Sequence, residues 1–511
     1  MPSKSRGESS SNLEKSSDHS PNEDSNGYLD KKSGMGWVVT GLFVAGELAG
    51  AGMIALPLSV RALGFYFGNA FLLLSGCMAA YTSIILGRSW LIVQKHWPEY
   101  RHHCRDPYAQ IGFRSYGVWM KRLVEISVNL GMFGMAVIFV VVSSKNVNDA
   151  VKQFAALKLD YCFAAVIITM IITPFTMLKS PKDFWWAMML SIGCTIAAVI
   201  LAFCGATSDL RTCDDTLTVP HFEYTAAFTS LGNVMLAYGG HACFPTIQND
   251  MRQPQKFGLA SILAYFIITM LYSPISLVAN LAYNANLAPS VINNLQIEWI
   301  QESVNILITV HCITTVILVM NPVMQTVEEI MGAPDDFGFH RIVIRSGMML
   351  LLLIVVETFP EFAPLMGLVG GFAFSTTSFL FPVLFYLQLN VLDQKMVRIE
   401  NIRAREEESE SSSGKTMVIC KFGLVESLSM TSWPHLIAIG GIFVISFFIM
   451  IVATLFAIND LATASFKMPC YLRWIKDWED EGDVVDVTPV YCCGKFSNIT
   501  LEPQCIKKNF Y

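Results

Sequence analysis

The residues best able to do chemistry lie where a bilayer tolerates them least. The stretch "GELAGAGMIALP", residues 46–57, interrupts an apolar run with a carboxylate, Glu47, then with Gly50-Ala51-Gly52, and closes on Pro57. A second stretch, "AYGGHACFP", residues 237–245, places Gly239-Gly240 directly before His241 and again ends on a proline, Pro245. Breaks of this kind free backbone N–H and C=O groups, each costing several kcal/mol if left facing lipid. They survive where a polar ligand or cavity satisfies them: a half-helix N-terminus favours a carboxylate, and freed carbonyls favour an ammonium or a cation. A zwitterionic amino acid offers both charges, which makes Gly50, Ala51, Gly52, Gly239 and Gly240 candidate substrate-binding residues. Close helix packing through Gly46 and Gly50, a small-xxx-small face, is the competing explanation.

A carboxylate at membrane depth costs about 2.5–3.5 kcal/mol on insertion scales, so Glu47 is a candidate proton-coupling residue. It lies seven residues after Thr40, on nearly the same helix face. Histidine is the natural proton switch. His241, next to the second break, is open between a proton-coupling role and a structural hydrogen bond, whereas His311, flanked by Thr314 and Thr315, reads as a structural donor. Glu125 and Asn129, one turn apart, sit near a membrane edge, and Asp250, Glu328 and Glu329 follow helix ends as inner-mouth residues. Freed carbonyls with helix hydroxyls also suit Na+, so H+ is the expected coupling ion and Na+ its alternative.

Several other chemistries find no support. There is no phosphate-cradling Gly-rich Lys-Ser/Thr loop, no Gly-x-Ser-x-Gly elbow, and no Cys/His spacing for zinc, so neither cofactor nor metal is expected. An enzyme using His241 or His311 as base lacks a placed nucleophile. The net charge of −6 comes with no basic face for nucleic acid.

The elements that must position these residues are membrane helices. Of 511 residues, 53% are hydrophobic and only 15% charged, against roughly 25% charged in soluble domains. A crossing needs about 20 mostly apolar residues. Eleven candidates satisfy this: 36–56, 65–87, 123–143, 162–178, 184–206, 225–247, 257–280, 302–322, 342–357, 362–387 and 435–457. Residues 1–35 are polar and Ser-rich, with no apolar core for a signal peptide, and read as a disordered cytosolic tail. The transporter-like body is 36–457, with a charged, Ser-rich linker at 388–434. The segment "DPYAQIGFRSYG", with Tyr108, Ile111, Phe113, Tyr116 and Trp119 nearby, reads as an amphipathic surface helix.

With the N-terminus inside, inner segments carry 24 of the 35 Lys and Arg and outer segments 11, as the positive-inside rule demands. The sequon Asn498-Ile499-Thr500 then falls outside, where glycosylation occurs. The outer tail 458–511 holds Cys470, Cys492, Cys493 and Cys505, and the outer loop 207–224 holds Cys213. These positions permit disulfides, and Cys162 at a helix edge is a candidate partner for Cys213. The remaining helix cysteines read as small apolar fillers. Breaks in the first and sixth spans, five helices apart, match a five-plus-five inverted repeat with an eleventh helix appended.

At these residues the sequence resembles the amino acid/auxin permease family, also called the transmembrane amino acid transporter family, over roughly 36–460. The matching pieces are "GAGMIALPLSVRALG", "DPYAQIGFRSYG", "YGGHACFPTIQNDMRQPQKF", "NPVMQTVEE" and "FPEFAPLMGLVGG"; the sixth-span piece is similar to the vesicular inhibitory and proton-coupled amino acid transporter branches. The resemblance implies an all-α, eleven-helix, LeuT-type secondary transporter of small neutral amino acids. It implies a central site at the two breaks, with Tyr238 and His241 as adjacent candidates and Ser375, Thr376 and Thr377 able to face it. It also implies an inside N-terminus and an outside C-terminus, in the plasma membrane or a lysosomal or vesicular membrane. Glu47 matches no motif of the family, so its coupling role rests on depth alone. An amino acid sensor or scaffold that keeps the fold is the alternative of a different class.

Overall fold

In hydrocarbon, backbone polar groups can pair only within the chain, and apolar runs of this length answer with helices. The computed structural model describes residues 34–463, except 51, 102–103, 105, 156–159, 178–184, 211–221, 284–286, 335–337, 361 and 408–427. The first span is a bent pair, α1 (Trp37–Leu48) and α2 (Gly52–Ala62). It is followed by α3 (Phe65–His96), α4 (Pro107–Tyr116), α5 (Val118–Ala155), α6 (Tyr161–Thr176) and α7 (Trp185–Asp209). The second interrupted span consists of α8 (Tyr224–Ala237) and α9 (Phe244–Asn249). Then come α10 (Phe257–Tyr283), α11 (Glu298–Ile330) and α12 (Phe339–Thr358). A tenth segment joins α13 (Phe362–Val369) to α14 (Phe381–Glu407) through a π-helical stretch, Gly370–Leu380, and α15 (Trp433–Thr463) ends the described chain.

Among the described residues, eight helices are long and apolar enough to cross a membrane, or nine with the bent α1–α2 pair taken as one span. Two further segments, α6 and the interrupted α8–α9, coincide with expected crossings but are shorter. The protein is an all-α, multi-pass integral membrane protein. The 388–434 segment departs from expectation: α14 stays helical through Glu407. Its Asp393 receives Lys95 Nζ at 2.9 Å and His96 Nε2 at 2.7 Å from the end of α3, a clasp that holds the extra turns against the bundle. The remainder of that linker at 408–427, the N-terminal tail up to residue 33, Asn498 and Cys213, Cys470, Cys492, Cys493 and Cys505 lie outside the described residues. Cys162 is disulfide-bonded, while Cys77, Cys104, Cys194, Cys204, Cys243 and Cys312 are free.

Helix α4 is not a surface helix. Tyr108 and Ile111 are buried, the Tyr108 hydroxyl donates to the Thr377 carbonyl in the π-helical stretch, and Tyr116 Oη donates to Leu384 O at 3.2 Å. Glu328 is likewise no open mouth residue. It is buried and accepts Arg345 Nε at 2.6 Å and Nη2 at 3.2 Å, and Arg345, itself fully buried, also donates to Thr176 O. This one guanidinium therefore ties α6, α11 and α12 together.

The closest helix–helix approach depends on glycine. A Cβ on Gly370 would stand 2.0 Å from Gly232 O, and one on Gly232 would stand 2.4 Å from Gly367 O. Both obstacles are backbone atoms, which cannot rotate aside. Gly370→Ala is therefore expected to destabilise the protein by about 1–3 kcal/mol, the usual range for an overpacked site. Thermal unfolding of the detergent-purified variant beside wild type measures it, and an unchanged midpoint would refute the packing account.

Candidate functional site

Helix α1 stops because Ala49 leaves the helical region (φ −70°, ψ 101°) and Gly50 follows; α2 departs at 66° to it. The second span stops at Ala237, passes Tyr238, Gly239 and Gly240, makes one 3₁₀ turn at His241–Cys243, and resumes at Phe244. The two breaks pack on each other. A Cβ on Gly240 would meet Leu48 Cδ2 at 2.7 Å, and one on Gly52 would meet the Ala237 Cα at 2.9 Å. The glycines are there because two interrupted backbones must touch.

Two carbonyls at the breaks are paired from outside their own spans. Tyr272 Oη on α10 donates to Leu48 O at 2.9 Å, at the end of α1. Seven residues earlier on the same helix, Tyr265 Oη donates to Tyr238 O at 3.2 Å. One helix thus caps both breaks. Pro57 O, on the far side of the first break, accepts Asn280 Nδ2 at 2.9 Å, also from α10.

A cavity of about 90 Å³ lies between the breaks and the helices facing them. Glu47, Gly50, Gly52, Gly239 and Gly240 line it together with Cys243. The facing walls are Phe139 on α5, Ser191 on α7, His311 and Thr315 on α11, and Phe374 and Thr377 in the π-helical stretch. Glu47 is the cavity's sole carboxylate, and among the described residues nothing hydrogen-bonds or ion-pairs with it. Gly46 also lines the cavity, and a Cβ there would press on Ile192 Cγ1 at 2.3 Å. Of Ser375, Thr376 and Thr377, only Thr377 reaches the cavity; Ser375 and Thr376 close on Gly370 O and Phe372 O.

Two expected neighbours of the site are not on its wall. Tyr238 is fully buried toward α10, 3.4 Å from Thr269 Oγ1. His241 is fully buried against α3, with Nε2 at 2.9 Å from Thr82 Oγ1 and 3.2 Å from Ala79 O. The 3₁₀ turn rotates the imidazole behind the break, where it staples the second span to α3. Ala51 lies outside the described residues.

The histidine that does face the cavity is His311. Its Nδ1 is held by Ser191 Oγ and Thr195 Oγ1, each at 2.7 Å, while Nε2 is buried with no partner. The available sequence signal was Ser191 and Thr195, one turn apart in an apolar run, the polar counterpart a buried imidazole on another helix needs.

Two interrupted spans that pack on each other, both capped from α10 and flanking one cavity, mark an all-α membrane protein with a break at its centre. The family profile described as transmembrane amino acid transporter protein matches residues 33–400. The chain belongs to that family. It is 22% identical to amino acid transporter AVT1D of Arabidopsis thaliana over 67% of this chain and 62% of that protein. It is 25% identical to lysine histidine transporter-like 6 of the same organism, over 69% of this chain and 82% of that one. The matched region spans 62% of the length of AVT1D and of AVT1B.

Removing the hydroxyl that caps the first break should be costly. Tyr272→Phe leaves Leu48 O buried without its donor, and a loss of about 1–3 kcal/mol is expected. Thermal unfolding reads the loss, and Tyr81→Phe, whose hydroxyl is only half-buried near His435, is the control expected to shift much less.

Proposed function

We propose that the protein is a secondary transporter of small neutral amino acids, coupled to protons and cycling by alternating access. The observation that carries this is the meeting of two interrupted spans at a cavity whose one carboxylate, Glu47, is unpartnered. A zwitterion presents an ammonium and a carboxylate together, and the breaks offer dipole ends of both signs. Apart from Glu47 the wall holds no Asp, Lys or Arg, so no second charge awaits an ionised substrate side chain. That favours neutral amino acids, although one relative's name refers to lysine and histidine. Glu47 takes the coupling proton in this reading, because a carboxylate without a cation partner is neutralised most simply by protonation.

His241 is the less apt proton carrier, since Ala79 O and Thr82 Oγ1 already occupy its Nε2. The charge pattern supports an N-terminus in the cytosol and a C-terminal tail outside or in a lumen, with Asn498 as its glycosylation site, in the plasma membrane or a lysosomal or vesicular membrane.

Reconstituted vesicles with imposed gradients test the proposal. Radiolabelled alanine is expected to accumulate under an inward proton gradient without Na+, and Glu47→Gln is expected to abolish accumulation while leaving passive exchange. Accumulation driven only by Na+ would transfer the coupling role from Glu47 to a cation held by freed carbonyls and hydroxyls. Binding without translocation would instead favour the sensor reading.

A further inference from the structure

His311 is the other unsatisfied group of the cavity, and its hydrogen bonds can be counted. Thr195 Oγ1 spends its proton on Ser191 O at 3.0 Å, and Thr315 Oγ1 spends its proton on His311 O at 2.8 Å. Ser191 Oγ lies 3.0 Å from Thr315 Oγ1, which can then only accept, so the serine donates to it. Both hydroxyls at Nδ1 therefore have only lone pairs left for the imidazole. Nδ1 carries the hydrogen and shares it between them, and Nε2 of the neutral ring is a bare lone pair.

That lone pair is sealed from solvent, since His311 is 3% exposed, and it points at the first break. A Cβ on Gly50 would lie 3.4 Å from Nε2. Phe139 meets the ring edge-on, centroids 5.7 Å apart, and fixes its plane. Gly50 leads into the N-terminus of α2, a helix of 11 residues, whose positive end draws a carboxylate. A neutral imidazole would turn a lone pair on that carboxylate and repel it. A protonated one would donate to it across a dry gap.

We propose that His311, when protonated at Nε2, donates to the carboxylate of an amino acid seated at the N-terminus of α2. The proton and the carboxylate then enter the cavity as a pair, because each is disfavoured there alone. This rests on the amino acid transport reading but not on the role of Glu47, which stands free to meet the ammonium or to take a proton of its own.

The surrounding titratable groups are few. Glu47 from α1 and Cys243 from the second break share the cavity wall. From the helices packed on α11, α7 presents Ser191 and Thr195 to the ring and α5 presents Phe139. Cys194 on α7 is free, and Arg345 on α12 is engaged by Glu328 and Thr176. On α11 itself Cys312 is a free thiol beside His311. Among the described residues no charged side chain forms an ion pair with His311.

The test is equilibrium binding to the full-length purified protein. All proteinogenic amino acids are screened at acidic pH, and the tightest is compared with its own carboxamide, which keeps the ammonium and loses the negative charge. Wild type is expected to bind the acid about tenfold tighter at acidic than at neutral pH, the effect of one charge-assisted hydrogen bond, with little such gain for the carboxamide. In His311→Gln the pH-dependent gain for the acid should vanish while carboxamide binding is retained. The proposal fails if His311→Gln keeps the gain, or if it weakens acid and carboxamide alike at every pH. Should no amino acid bind wild type, the transport reading falls and this proposal with it. Should the gain be present while uptake ignores the proton gradient, only proton coupling falls.

Discussion

Every feature of this protein follows from one constraint: a peptide group in hydrocarbon must have a partner, and a broken helix leaves several without one. The chain meets it by bringing a third helix to the two gaps. Tyr272 and Tyr265 are two turns apart on α10, and their hydroxyls reach the carbonyls that end the two interrupted helices. Their aromatic bodies pack with Tyr238. A tyrosine can do this because it joins an apolar ring to a polar tip.

The satisfied groups at the breaks stand beside two in the cavity that have a free polar atom. Around the breaks, Leu48 O, Tyr238 O, Pro57 O and both edges of His241 have protein partners. Glu47 and His311 Nε2 do not, and both face the cavity. A fold that spends two tyrosines, an asparagine and a buried histidine on pairing backbone and break residues, yet leaves a carboxylate and an imidazole bare a few residues away, separates structural polarity from chemical polarity. The π-helical stretch belongs to the structural side: its irregular turn frees Gly370 O and Thr377 O, and Ser375 Oγ and Tyr108 Oη answer them.

Much of this was legible in the sequence because bilayer physics writes in long runs. Apolar length gave the helices, and Gly50, Gly52, Gly239 and Gly240 marked the gaps; of these, Gly52 stands where a Cβ would meet the other broken backbone, at Ala237 Cα. What could not be read was which way a side chain turns at a break. His241 and His311 are both histidines in apolar helices, and adjacency to Gly240 favoured the first. The single 3₁₀ turn after Gly240 reverses that assignment, and no residue pattern announces a turn of three residues. The partners were equally hidden, because Ser191, Thr195 and Tyr272 act on residues more than a hundred positions away. The seating of helix α4 was hidden for a related reason: Tyr108 carries a hydroxyl that answers the Thr377 carbonyl of the π-helical stretch, far away in sequence.

The ends of the bundle decide where such a structure can give way. Before α1, Met35 N donates to Asp250 O at 3.0 Å and Arg252 N donates to Met35 O at 2.9 Å, a single parallel β-bridge fastening the start of the first broken span to the end of the second. A Cβ on Gly34 would stand 2.7 Å from Arg252 N, so the contact is tight but short. Two backbone hydrogen bonds contribute about 0.5–1.5 kcal/mol each. Separating α12 from α11 would instead strand Arg345 or Glu328 as a buried charge, at about 3–5 kcal/mol. Releasing the bridge between the start of α1 and the residues after α9 therefore costs less than separating α12 from α11.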